Sequence, residues 1–91
     1  MAKTSFPGSD LVSQGVEDLS EGRDSIPALL VLIGAPRLRA LGISVPRADI
    51  AAPEHRLYHK LWEEDPDSAH SRYNALVRRL VSFERAMECA S

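Results

Sequence analysis

An all-α fold is predicted by three features of the chain. The first is the C-terminal stretch, where Ala69, Tyr73, Leu76, Leu80, Phe83, Met87 and Ala90 recur at alternating spacings of four and three residues. That rhythm keeps one apolar stripe on one side of a helix and suits it to lie along another helix. The second is that no segment alternates apolar and polar residues as a half-buried strand would. The third is punctuation: proline, glycine and short capping side chains fall between apolar runs of helical length. The expected architecture is a compact bundle of four main helices plus one short helix, with the long C-terminal helix as its spine. Residues 1–8 are expected to form a flexible N-terminal tail, and residues 9–91 a single helical domain.

Each element has its own warrant. Ser9 or Asp10 can cap a first helix to about Glu21, whose narrow apolar stripe is Leu11, Val12, Val16 and Leu19. Asp24 or Ser25 restarts the chain, and Pro27 is tolerated in the first helical turn because its missing N–H would have no partner there. Ala28–Ile33 is apolar on every side, which places it centrally in a core. Gly34-Ala35-Pro36 interrupts it, and Pro36–Leu41 reads as a short helix closed by Gly42. Ile43–Pro46 is extended, since the residue before proline avoids the helical region, and Arg47–Pro53 reads as a linker with room for a turn at Ala48–Ala51. Pro53 opens a helix through about Glu64 carrying Leu57, Tyr58, Leu61 and Trp62. Asp65-Pro66-Asp67-Ser68 ends it and starts the last helix, which runs to near Cys89. The predicted core contains Leu29, Leu30, Leu32, Ile33, Leu38, Leu41, Leu57, Leu61, Leu76, Leu80 and Phe83.

Composition narrows the function classes. The 91 residues carry a formal net charge of −2, so the chain as a whole offers no attraction to nucleic acid or an anionic membrane. One cysteine excludes an intrachain disulfide and suits a reducing compartment. The longest apolar run is far below the roughly 20 residues that span a bilayer, and the N-terminus lacks the apolar stretch of a secretory signal. A soluble, cytoplasmic protein with no cofactor is expected.

The C-terminal stripe is the strongest functional signal. Read as heptads, Tyr73, Leu80 and Met87 occupy a positions and Leu76 and Phe83 occupy d positions. Arg72 and Arg79 flank them at g, and Val77 and Glu84 at e. In a parallel pair Arg79 would face Glu84 of a second chain. The same stripe equally suits packing on the chain's own helices. The expected function is a non-catalytic protein-interaction module, such as an adaptor, a regulatory subunit or an antitoxin-like protein, that forms a homodimer through this helix.

The alternative is a nucleic-acid-binding regulator using Arg37, Arg39 and the arginines of the last helix, although Glu84 and Glu88 interrupt that basic face. His55, His59 and Glu63 share a helix face at spacings that could chelate zinc. The same residues form an ordinary polar helix surface, with His59 paired to Glu63. No nucleophile or phosphate-cradling motif is present, and no enzyme activity is expected.

Overall fold

The computed structural model describes residues 6–90, and these form five helices and no strand. Helix α1 spans Ser9–Ser20, α2 Ile26–Ile33, α3 Ala35–Ala40, α4 Pro53–Glu64 and α5 Ala69–Ala90. The predicted boundaries hold to within one or two residues. Among the described residues no helix is long and apolar enough to cross a membrane.

Helix α2 sits at the centre and touches each of the other four. Ala28, Leu29, Leu30 and Val31 are all fully buried. Four consecutive buried residues leave no solvent face on that turn, so α2 must be walled on every side. Its start is fixed by Ser25, whose Oγ accepts a hydrogen bond from the Ala28 N–H at 3.2 Å. The same hydroxyl donates to Asp18 Oδ2 at 2.5 Å, and Gln14 Nε2 donates to Asp18 Oδ1 at 2.9 Å. These bonds to the ionised form, the one from Ser25 foremost, hold the buried Asp18 carboxyl below its usual pKa. Asp18 thereby locks the turn between α1 and α2, a structural role that uses up its charge.

The two N-terminal helices approach closely because Gly15 faces the start of α2. A Cβ there would lie 2.3 Å from the Pro27 carbonyl oxygen and 2.4 Å from Val31 Cγ2. Helix α4 is joined to the turn before α2 by Arg56, which donates to Asp24 Oδ2 through Nε at 3.1 Å and Nη2 at 2.5 Å. The linker after α3 is irregular but anchored. Val45 is buried, and its carbonyl accepts from Arg39 Nε at 3.3 Å and Nη2 at 3.1 Å.

Of the predicted core, Leu29, Leu30, Leu38, Leu57, Leu61, Leu80 and Phe83 are buried, while Leu32, Ile33, Leu41 and Leu76 are half-buried. Of the expected tail, residues 1–5 lie outside the described residues. Phe6 and Gly8, by contrast, dock on α5. The Phe6 and Phe83 rings meet edge to face with centroids 6.3 Å apart. Gly8 turns the chain into α1 in the left-handed region at φ 78°, where a Cβ would strike the Arg79 carbonyl oxygen at 2.8 Å. Glycine therefore does at α1 what a capping side chain on Ser9 or Asp10 was expected to do; α1 has no side-chain cap.

Candidate functional site

The structure divides the residues expected to bind a partner. Leu80 and Phe83 are 4% and 5% exposed within the single chain, and Met87 packs half-buried against the same core. Arg79, expected to reach across to another chain, instead donates from Nη2 to Asp10 Oδ1 of α1 at 3.2 Å. Arg72 pairs with Glu64 of α4 at 2.9 Å. Glu84 is buried at 5% exposure against the α2–α3 junction, where a Cβ on Gly34 would lie 2.9 Å from its Oε2. Burial raises its pKa; Arg37, 3.9 Å away, opposes the rise, and Glu88 adds to it. Tyr73, Leu76 and Val77 are half-buried toward the N-terminal half of α5.

The arginines weighed for nucleic acid are also mostly engaged. Arg37 donates to Glu88 Oε2 at 2.6 Å, and Arg39 is spent on the Val45 carbonyl. On α5, Arg78 and Arg85 are exposed and have no side-chain partner among the described residues. Seven residues apart, they share the face of α5 opposite Leu80 and Phe83.

What remains open to solvent and apolar lies on α4. Trp62 is 51% exposed and Tyr58 37% exposed, and they are the large hydrophobic side chains left uncovered among the described residues. The four apolar positions Leu57, Tyr58, Leu61 and Trp62 split into two pairs. Leu57 and Leu61 are fully buried, whereas Tyr58 and Trp62, each one residue later, point outward together. At about 100° per residue the four cover roughly 140° of the helix, wider than one core contact needs. That surplus width is the sequence signal that could have pointed to Tyr58 and Trp62 as uncovered side chains.

Tyr58 and Trp62 line an open groove of about 480 Å³ with Glu54, His55, His59 and, from α5, Tyr73. The Tyr58 and Tyr73 rings meet at 5.8 Å with planes tilted by 59°. His59 and Trp62 meet nearly edge-on at 6.5 Å, and His59 Nε2 lies 3.9 Å from Glu63 Oε2. Burial, and secondarily the charge of Glu54, pushes the Tyr73 hydroxyl above its usual pKa. Glu54 itself is exposed and has no cationic partner among the described residues. The two histidines considered as metal ligands thus stand among aromatic rings, and no cluster of three or more ligand side chains forms among the described residues. The groove can stack planar groups on its rings and attract positive charge to Glu54.

Protein-family models, curated protein sequences and solved structures give no match to this chain.

Proposed function

We propose that this chain is a small non-catalytic protein-interaction module, of the adaptor, regulatory-subunit or antitoxin-like kind, that self-associates through the outer face of α4 together with Tyr73. The observation that carries this reading is the paired exposure of Tyr58 and Trp62 on one helix face. Holding a tryptophan half in water forgoes about 1 kcal/mol or more of hydrophobic stabilisation that a covering surface would recover. Aromatic anchors of this type contribute a large share of the energy in protein interfaces. The α5 stripe supports the contact from beneath: Ala69 is fully buried, and Leu76 and Tyr73 pack on the core beside the groove. In this reading α5 is the platform for the interaction surface.

Trp62 is the single tryptophan of the chain, so its fluorescence reports this face directly. Raising the protein concentration is expected to move its emission to shorter wavelength and to protect it from a soluble quencher. Emission and quenching that stay constant as the sedimenting mass doubles would place the interface elsewhere.

A further inference from the structure

The geometry points to an arginine of a second copy, Arg78 or Arg85, as the group that fills the Tyr58–Trp62–Tyr73 groove and pairs with Glu54. This inference rests on the self-association proposed above and names the contact that would specify it. The groove has one formal charge in its lining when its histidines are neutral, the Glu54 carboxylate, and no lysine or arginine. An apolar occupant would cover Glu54 and leave a desolvated, unpaired carboxylate, which is costly. An anion would meet the same carboxylate with no cation to offset it. A guanidinium satisfies both halves of the site, because its plane stacks on aromatic faces while its N–H fork donates to a carboxylate.

The chain carries the complement on its own surface. Arg78 and Arg85 share one face of α5 and are exposed and unpaired among the described residues, as Arg47 of the linker is, whereas Arg37, Arg56, Arg72 and Arg79 are held by carboxylates of the same chain. Glu54 and either α5 arginine can thus supply the two halves of one ion pair between copies. A two-fold dimer would match both at once, the groove of each protomer receiving an arginine from α5 of its partner, and it would close on itself without leaving a free site. Stacking on Trp62 gives the pair a fixed position that an isolated surface ion pair lacks.

Charge exchange tests this with the chain itself. Glu54→Arg alone, and Arg78→Glu with Arg85→Glu in a second chain, should each be monomeric at concentrations where wild type is dimeric. An equal mixture of the two should form a heterodimer, seen in native mass spectra when one chain carries an isotope label. All three positions are exposed, so helical circular dichroism should stay unchanged. A neutral set, Glu54→Gln and Arg78→Gln with Arg85→Gln, should raise the dimer dissociation constant about tenfold even if a charge reversal misfolds. Variants that dimerise as wild type does, or a mixture that stays monomeric, would overturn the assignment. If Trp62→Glu splits the dimer while charge exchange changes nothing, this pairing is wrong and the interaction face stands. A monomeric wild type would overturn both.

Discussion

Leu80→Glu is expected to unfold the chain rather than to separate a folded pair. Leu80 is 4% exposed and its methyl carbons lie against Gly34, where a Cβ would come within 3.0–3.1 Å of them. A carboxylate there has no cation waiting for it. One turn on, Glu84 is already buried, with Arg37 no nearer than 3.9 Å and its pKa raised by that burial. A second acid four residues away on the same helix adds repulsion to desolvation. An uncompensated buried charge costs about 3–5 kcal/mol, a large part of the roughly 5–15 kcal/mol that holds a domain folded. For a domain of this size each kcal/mol shifts the melting temperature by about 4–8 °C. Thermal denaturation followed by circular dichroism should therefore show a loss of at least about 12 °C, or no cooperative transition. A variant that melts like wild type would mean that Leu80 faces solvent, contrary to the packing described.

Gly15→Ala should also destabilise, although the local rule points the other way. In the interior of a helix alanine is preferred to glycine by about 1 kcal/mol. The sign turns on what the new methyl meets. Pro27 O at 2.3 Å is backbone, and its residue opens α2, the helix around which everything else packs. Neither it nor Val31 Cγ2 at 2.4 Å can give way without moving α1 off α2. Overpacking costs about 1–3 kcal/mol, and contacts this short belong at the upper end, so against a propensity gain of about 1 kcal/mol a net loss of about 2 kcal/mol is expected. Chemical denaturation should show it, with Ser13→Ala on the exposed face of the same helix staying within about 0.5 kcal/mol of wild type. A stabilised Gly15→Ala would mean that α1 and α2 stand further apart.

The helices were legible because each boundary is local chemistry. Ser25 and Pro27 start α2, Pro53 starts α4, and Asp65-Pro66 stops it, all within a few residues of the turn they control. Tertiary placement was less so. The four-three rhythm from Ala69 to Ala90 says that a helix lies along something, but not whether that surface belongs to the same chain. Phe6, α2 and the α2–α3 junction supply it for Leu80 and Phe83, and within the chain Arg79 pairs with Asp10 while Glu84 lies near Arg37. Gly15 gave no signal, since a close helix approach depends on residues far along the sequence. Val45 is buried in an irregular linker, with its carbonyl held by Arg39 from α3, a contact that no local pattern announces. On α4 the four apolar positions are wider than one core contact, yet nothing local tells which two of them the core leaves in solvent.

The central claim, that the uncovered aromatic face of α4 is what this protein uses to bind, is tested most directly by sedimentation equilibrium of wild type and Trp62→Glu. A glutamate at this half-exposed position leaves the core untouched, so both proteins should be equally helical. Wild type is expected to sediment as a dimer and Trp62→Glu as a folded monomer. A Trp62→Glu protein that remains dimeric, or a wild type that is monomeric throughout, would contradict the account.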